Sequence, residues 1–449
     1  MRGIALLVLV SLLTFALAEN PGLVGGLKLP IVNKIKEKYF DTFMEGFRNI
    51  DIDEIKEGDL KVSGIEVEVV NEDHNNVQVT FNAEKNGVNV VVDNTSIKVH
   101  CNWKYKKLIL EVSGVGDIEG PISHLSMMIG FENQEKDGML IPKINIQDFD
   151  MGINSGDWHF HFDCSACPPG IADLLLDLFK SDLIKKIKDE AKSVVDNKVG
   201  DIVNEALMEQ YPLQTAATDE ISVSLATTGP VTVTEDFLHV PLDSTVFLTS
   251  QGYNRPFDAP VIPTEDPDNP GEIQLFASTY LYETFEQTIN QVPMEFTTSI
   301  MGFQAIFKIN GTACPFELKT QDKNLHAAFG GALSIPSLNI DVILAAEANI
   351  DFFFDNGDST NMIYIDPDIN TNSLKFTKLK MTIYGYTIDL TAFKILINVF
   401  IKGFINFYAL QPIAIAKLEA LPLTSTAAEI DFYENYTEAG VAFNFGLDN

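Results

Sequence analysis

Alternation of apolar and polar residues dominates this chain and predicts many antiparallel strands. Residues 60–70, for example, alternate valine or isoleucine with polar side chains, and a period of two indicates a half-buried strand. Turn pairs such as Asn86-Gly87 and Asp137-Gly138 separate neighbouring strands, as in β-hairpins. Long consecutive antiparallel strands indicate a strongly twisted sheet or a partly closed barrel. In the first half, strands are predicted at 60–70, 77–83, 88–103, 107–115, 122–131, 140–153, 221–226, 231–233 and 237–248.

Apolar residues spaced three and four apart predict four helical segments, at 30–50, 170–210, 275–291 and 390–421. The second is expected to bend near Ser181. Such a helix ordinarily packs its apolar stripe on a sheet, and the alternative is that the stripe covers a lipid cavity. The candidate stripes are Val32, Ile35, Tyr39, Phe43 and Phe47 in the first segment, Leu174, Leu175 and Leu178 in the second, Leu281, Phe285 and Ile289 in the third, and Leu396, Phe400 and Phe404 in the fourth.

The order helix, long meander, helix occurs twice, which indicates a duplicated α+β module. Between the two copies lies a stretch, 253–271, with a proline at every third or fourth position. Proline lacks an N–H donor and biases the preceding residue away from helix, so this stretch is predicted to be a stiff, extended connector. In the second half, strands are predicted at 294–309, 313–318, 325–333, 340–354, 361–365, 374–384, 428–433 and 439–445.

The N-terminus has the pattern of a secretory signal peptide. Arg2 precedes an apolar run, and Ala16-Leu17-Ala18 has the small residues of a cleavage site. We expect residues 1–18 to be removed and the mature protein to enter a compartment that permits disulfides. Three glycosylation sequons agree with that compartment, and they begin at Asn94, Asn310 and Asn435.

Composition narrows the class of partner. The chain has 449 residues, enough for two or three domains, and its hydrophobic content of 46% excludes global disorder. Its net charge of −32 repels nucleic acid and anionic membranes at long range. A nucleic-acid partner is therefore not expected.

One cluster has the residue types of a metal site. His159 and His161 lie on the same face of a predicted strand, and Cys164 and Cys167 form a CxxC pair shortly afterwards. These four side chains could hold zinc, although an oxidising compartment favours a disulfide or structural role for the cysteines. The chain contains no G-x-S-x-G, H-E-x-x-H, P-loop or G-x-G-x-x-G motif, so the sequence indicates neither catalysis nor a cofactor.

Several motifs, in a shared order, resemble a family of secreted lipid-binding and lipid-transfer proteins. The family includes bactericidal/permeability-increasing protein, lipopolysaccharide-binding protein, and the phospholipid and cholesteryl ester transfer proteins. The resemblance covers nearly the whole mature chain. Its marks are 21–24 (PGLV), 95–99 with Trp103 and Lys104, 114–120 (GVGDIEG), 164–167 (CSAC) before a long helix, the proline-rich stretch, 278–282 (STYLY) and 421–423 (LPL).

The resemblance implies an α+β fold shaped as an elongated boomerang. Two similar modules, each a twisted antiparallel barrel-like sheet with long helices, would be joined by a central sheet and the proline-rich strap. It would divide the chain into a signal peptide (1–18), an N-terminal lipid-binding module (19–250), the linker (251–271) and a C-terminal lipid-binding module (272–449). Each module would hold the acyl chains of a phospholipid between helix and sheet, and the candidate stripes would line those pockets.

Two departures from the family affect the expectations. The family's disulfide uses a cysteine in the helix after the CxxC-like turn, and residues 170–210 contain none, so we predict instead a link from Cys101 to Cys164 or Cys167. Where antibacterial members carry a cationic tip, this chain has acidic residues between Asp51 and Asp59. The expected function is therefore a monomeric carrier of phospholipid or a related acyl lipid that contacts membranes or lipid particles transiently. The alternatives are an innate-immune protein that binds bacterial lipopolysaccharide and a secreted metal-dependent hydrolase.

Overall fold

In the part of the chain that the structure describes, antiparallel sheets predominate and four α-helices accompany them. The computed structural model describes residues 20–44, 50–70, 73–108, 110–137, 139–163, 170–178, 182–201, 204–205, 208, 214–216, 220–291, 294–300, 302–309, 315–321, 324–355, 362–369, 373–390, 413–417 and 423–445. The helices are α1 (Leu29–Met44), α2 (Ile171–Leu178), α3 (Ile184–Ser193, continued by a wider turn at Val194–Gly200) and α4 (Thr279–Gln291).

A nine-stranded sheet forms the N-terminal part, in the order β2-β4-β7-β8-β6-β5, with β3 on β4 and with β9 and β10 on β8. A three-stranded sheet, β11-β12-β15, follows it. The strands are β2 (Ile50–Ile52), β3 (Ile55–Glu57), β4 (Leu60–Val70), β5 (Val77–Asn82), β6 (Gly87–Val92), β7 (Thr95–Lys107), β8 (Leu110–Lys136), β9 (Met139–Ile153), β10 (His159–Asp163), β11 (Gln214–Ala216), β12 (Ile221–Ser224) and β15 (Val246–Leu248).

A second nine-stranded sheet forms the C-terminal part, in the order β17-β18-β20-β21-β22-β25, with β19 on β20, β23 on β21 and β24 on β23. Its strands are β17 (Met294–Ile300), β18 (Phe303–Ile309), β19 (Glu317–Gln321), β20 (Asn324–Ile335), β21 (Ile340–Asp355), β22 (Met362–Ile369), β23 (Lys375–Ile383), β24 (Tyr386–Asp389) and β25 (Ile413–Lys417).

Strands from both halves of the chain meet in a six-stranded sheet, in the order β13-β14-β1-β16-β27-β26. In this central sheet, β1 pairs with β14 on one side and with β16 on the other. The strands are β1 (Leu23–Lys28), β13 (Thr232–Val233), β14 (Phe237–Leu242), β16 (Ile273–Ser278), β26 (Leu423–Phe432) and β27 (Tyr436–Phe445).

The proline-rich stretch, 253–271, has neither helix nor strand and contacts strands from both halves. Ile262 packs on Val24 of β1 and Phe276 of β16. Further along, Asn269 donates a hydrogen bond of 2.8 Å from its side-chain amide to Glu438 of β27. The stretch therefore lies against the central sheet.

Strand boundaries differ from the predicted ones at several turns. The predicted strand 88–103 is two strands, because the chain turns at Asn94, whose φ of 55° is left-handed. Similarly, 294–309 is a hairpin that turns at Gly302, with a φ of 85°. The predicted strand 237–248 is interrupted at 243–245.

The opposite error occurred at β8, where two predicted strands are one strand of 27 residues that contains Pro121. On the flank of β8 opposite β7, the ladder to β10 ends at Glu119 and the ladder to β9 begins at Ile122. The indole of Trp158 donates to the carbonyl of Pro121 at 3.1 Å. Because N–H and C=O of one strand residue point to the same flank, the N–H that proline lacks would have faced this gap between the two ladders.

Two predicted helices also differ from the structure. Residues 275–278, expected to open the third helix, belong to β16, because they complete a ladder with β1 and β27. Residues 413–417, expected in the fourth helix, form β25 against β22. The rest of that fourth segment up to residue 412, apart from Leu390, lies outside the described residues, as do Ser181 and residues 45–49. No helix in the described part of the chain is long and apolar enough to cross a membrane.

Candidate functional site

The inner face of the N-terminal sheet is lined by aliphatic side chains. In β4, a bulge between Ser63 and Glu66 interrupts the alternation, with Gly64 in a left-handed conformation at a φ of 58°. The extra residue brings both Val62 and Ile65 to the buried face. The lining is completed by Val67, Val77, Val79, Val88, Val90, Ile97, Val99, Ile118, Ile122 and Met127.

Three glycines of β8 share this inner face and make room for aromatic rings. A Cβ at Gly120 would lie 2.0 Å from the Trp158 ring, and one at Gly114 would lie 2.7 Å from the Trp103 ring. At Gly116 a Cβ would meet the Phe162 ring at 3.1 Å. Both tryptophan rings of the chain therefore pack directly on glycines of β8. A larger residue at Gly114 or Gly120 would displace an indole.

Helices α1, α2 and α3 cover the inner face. Ile31 of α1, Leu175 of α2 and Ile187 of α3 are at most 1% exposed and belong to the same apolar cluster as the sheet. Of the predicted stripes, Leu175 is thus fully buried, and Val32 is half-buried against this cluster. For Ile35, Tyr39 and Phe43 in α1, and for Leu174 and Leu178 in α2, the backbone is helical while the side chains lie outside the description; Phe47 lies outside the described residues.

The described residues of the interior between this sheet and α1 to α3 include no buried charged side chain. In the described part of this interior, Thr95 is the one buried residue whose side chain has a polar oxygen. Burial raises the pKa of the Cys101 thiol to about 12, and its sulfur lies 3.6 Å from the carbonyl oxygen of Gly116. The thiol is therefore protonated at ordinary pH and is a poor nucleophile or metal ligand. The described part of this interior is therefore apolar and has the chemistry to hold hydrocarbon.

The C-terminal sheet has a corresponding apolar face, which includes three buried alanines. Ala327 is paired with Ala348 across β20 and β21, and Phe329 is paired with Ala346. All four are buried, together with Leu344, Ile350, Phe376 and Leu379. The N-terminal face consists mostly of valine and isoleucine, so the two faces differ in composition.

Helix α4 directs its predicted stripe towards the three-stranded sheet. Leu281, Phe285 and Ile289 pack against Ile221 of β12 and Val246 and Leu248 of β15. Ile289 is 2% exposed, and the other two are half-buried. The stripe thus meets strands of the first half of the chain. The fourth stripe, Leu396, Phe400 and Phe404, lies outside the described residues.

The structure describes the two histidines of the His/Cys cluster and not its two cysteines. His159 and His161 are exposed on the outer face of β10, whereas Phe160 and Phe162 point to the core. The described part of the chain contains no group of three metal-ligating side chains. Cys101 is a free thiol among the described residues. The link from Cys101 to Cys164 or Cys167 stays a prediction, because both of those cysteines lie outside the described residues.

The glycosylation candidates fall on the surface where they are described. Asn94 and Asn435 are exposed in turns, and Asn310 lies outside the described residues.

Sequence reasoning did not assign a role to Gly114, Gly116 and Gly120. Glycines separated by two and four positions in a strand were the available signal, because an even spacing places them on one face.

Comparison with solved structures identifies the fold. The crystal structure of lipopolysaccharide binding protein aligns with 95% of this chain and 99% of its own, with a TM-score of 0.56 and 11% sequence identity. The chain therefore has the fold of lipopolysaccharide binding protein, which confirms the resemblance at the level of the fold.

A second solved structure, Epiphyas postvittana Takeout 1, aligns with 36% of this chain and 74% of its own at 12% identity. Its TM-score of 0.19 is too low to establish a common fold. No protein-family model and no curated protein sequence matches this chain.

Proposed function

We propose that this protein is a secreted lipid carrier or transfer protein that holds the acyl chains of phospholipid-like ligands in apolar interiors. The observation that supports this most is the interior of the N-terminal sheet, which is aliphatic and uncharged in its described part. Acyl chains gain roughly 0.8 kcal/mol per buried CH₂, so binding requires burial and no reactive group. The fold of lipopolysaccharide binding protein agrees with a lipid ligand.

The chain is proposed to consist of two modules in a boomerang, residues 19–250 and 272–449, joined by the linker 251–271. A central sheet built from β1 and β14 on one side and β16, β26 and β27 on the other supports this division. Each module would hold one lipid, with the candidate stripes of the helices as part of the walls. Residues 1–18 would direct secretion, and the mature protein would act as a monomer.

Analysis of the lipid carried by the secreted protein tests this function. Native mass spectrometry, followed by organic extraction, is expected to find about two diacyl lipids per chain, since each module offers one apolar interior. Protein secreted in a folded state but free of extractable lipid, and unable to take up phospholipid from vesicles, would contradict the proposal.

The same extract separates the two alternatives. An innate-immune protein would bind lipopolysaccharide in preference to diacyl phospholipid when both are offered. A metal-dependent hydrolase would contain stoichiometric zinc and would release fatty acid from an ester substrate. The outward, exposed positions of His159 and His161 favour neither of these over a carrier.

A further inference from the structure

The hairpin of β23 and β24 presents large apolar side chains to solvent. Tyr384 is 70% exposed, Tyr386 77% and Ile388 47%. The two turn residues, Tyr384 and Gly385, have φ values of 48° and 85°. Ile383 and Tyr386, which flank the turn, are paired across the hairpin, so the turn contains two residues.

Tyrosine is an unfavourable choice for this turn. Two-residue turns with both φ values positive strongly prefer asparagine followed by glycine, and a bulky side chain in the left-handed region is strained. A solvent-facing ring at position 384 therefore lowers stability without contributing to a core. An exposed contact with something outside the chain would account for it.

Tyr386 and Ile388 lie on one face at the end of the C-terminal sheet, and Tyr384 lies in the turn beside them. In register, Ile335 of β20, Ile340 of β21, Ile383 of β23 and Tyr386 of β24 form one continuous row. The neighbouring row contains Leu333, Val342, Met381 and Ile388.

Phe303 of β18, 41% exposed, lies on the same face, because Phe307, four residues further along the strand, is paired with Leu333. From β18 to β24 the face is about 19 Å wide, at roughly 4.8 Å per strand. We refer to Phe303, Tyr384, Tyr386 and Ile388 as the aromatic tip.

The aromatic tip is almost uncharged, although the chain as a whole carries a net charge of −32. The three stretches that build it, 303–305, 333–342 and 381–388, contain one side chain that is charged at neutral pH, Asp341. Asp341 is paired with Thr382, in a position between the apolar rows, so it lies on the opposite face of the sheet.

We propose that the aromatic tip docks on a zwitterionic lipid surface, such as a phosphatidylcholine membrane. Tyrosine is suited to this, because its ring enters the apolar boundary of a bilayer while its hydroxyl stays hydrated. The absence of charge on the tip matches a surface without net charge, whereas the acidic remainder of the chain is repelled by anionic lipid. This inference rests on the proposed lipid-carrier function and names the surface through which lipid would be exchanged.

Flotation with phosphatidylcholine vesicles tests the proposal. The double variant Tyr384→Asn/Tyr386→Thr is expected to reduce vesicle binding of the full chain about tenfold. Its thermal midpoint should be unchanged or higher, because asparagine suits the turn better than tyrosine does. A structural role for the tyrosines would instead lower the midpoint and leave vesicle binding intact.

Two matched variants locate the docking surface. Tyr433→Thr removes a tyrosine that is 40% exposed but lies next to the central sheet, and it should leave binding unchanged. Leu108→Asn changes a residue that is 93% exposed, with a φ of 56°, in the β7–β8 turn of the N-terminal sheet. If Leu108→Asn abolished binding and the double variant did not, the aromatic tip would not be the docking surface.

A fluorescent variant gives a second readout that does not depend on loss of binding. Trp103 and Trp158 are 1% and 5% exposed, so their emission should not respond to vesicles. Tyr386→Trp should therefore show a blue shift on addition of phosphatidylcholine vesicles, and an unchanged spectrum would overturn the proposal. Adding phosphatidylserine at low salt should weaken binding; a requirement for phosphatidylserine would indicate a different, cationic surface.

Lipid extraction distinguishes failure of this inference from failure of the proposed function. If the double variant carries as much lipid as the wild type but floats poorly, the interior binds lipid and the aromatic tip docks. If neither protein carries lipid, the carrier function fails. If both carry lipid and float equally, only the docking inference fails.

Discussion

The N-terminal interior and the centre of the molecule are held together by different kinds of contact. Behind the N-terminal sheet, the buried side chains are aliphatic or aromatic almost throughout. Around the central sheet, buried polar groups are numerous, and they include Asp243, Thr245, Gln274 and Glu438. Apolar contacts are non-directional and can form between side chains of different shapes, whereas buried polar groups require specific hydrogen-bond partners.

One cluster at the centre illustrates this requirement. Arg255 of the proline-rich stretch donates to the Asp243 carboxylate at 3.0 Å and to the backbone carbonyl of Asn20 at 2.7 Å. Thr245 donates to the same carboxylate at 2.9 Å, so Tyr280 of α4 is the donor in its 2.6 Å bond to Thr245. This cluster joins the start of the described chain, the proline-rich stretch and the second half. The comparison indicates that specific polar partners fix the geometry of the centre, whereas the described N-terminal interior is held by contacts that need no specific partner.

Breaking the buried ion pair should have the largest effect on stability. Asp243 is 1% exposed on its side chain and Arg255 is 12% exposed. Replacing Asp243 with alanine removes the carboxylate that pairs with the Arg255 guanidinium. Loss of one partner of a buried ion pair typically costs about 3–5 kcal/mol of folding stability. Urea unfolding should show this loss, whereas Lys192→Ala, which removes an exposed i,i+4 pair with Asp196, should cost about 0.5 kcal/mol or less. Equal losses in the two variants would remove the distinction between centre and surface.

The same substitution made in both regions sharpens the comparison. Thr245→Val removes a hydroxyl that bonds to a buried carboxylate and a phenol, so a loss of about 1–3 kcal/mol is expected. Thr95→Val, in the N-terminal interior, should cost less, because the described residues of that interior include no buried charged side chain. The check is the difference between the two urea midpoints, and a larger loss for Thr95→Val would contradict the contrast.

A smaller effect should appear as pH dependence at His239. This imidazole is 3% exposed, lies 2.9 Å from Glu265 of the proline-rich stretch, and stacks on Phe237, above which the Lys28 ammonium is placed. Burial lowers the pKa of His239, although the Glu265 carboxylate opposes the shift. The folded state therefore favours the neutral ring, and the contribution to stability is complete above the ordinary pKa of 6.5 and is lost as pH falls below it.

The measurement for His239 is the thermal midpoint of wild type and His239→Gln between pH 7.5 and pH 5. The wild type should lose more stability than the variant over this range. On acidification the unfolded wild type gains a proton at His239 that the folded state resists, whereas glutamine does not titrate. A wild type that gains stability relative to the variant on acidification would mean that attraction to Glu265 outweighs burial.

Much of the local structure followed from periodicity alone. The alternation in 60–70 and 140–153 and the helical spacing from Val32 onwards each correspond to the observed element within a few residues. The order of motifs was sufficient to predict the fold of lipopolysaccharide binding protein. These features are local, because amphipathic periodicity reflects a face that any packed neighbour would bury.

Strands at the centre of the molecule were not predictable in the same way. Strand β1 is a short stretch with two glycines, and β16 reads as the start of a helix, yet they pair with each other as Gly25 to Leu275. The partners are about 250 residues apart, and no local pattern specifies a ladder at that separation. Similarly, the glycines of β8 acquire their role only when Trp103 and Trp158 fold over them.

The sequence by itself determined the antiparallel character, the amphipathic helices, the strongly acidic surface and the resemblance that named the fold. Tertiary structure decided which short strands join the two halves, where the buried polar groups find partners, and that Tyr384 and Tyr386 are left facing solvent. The physical reason is that local periodicity sets which face of an element is apolar, while pairing and packing between distant segments set what that face meets.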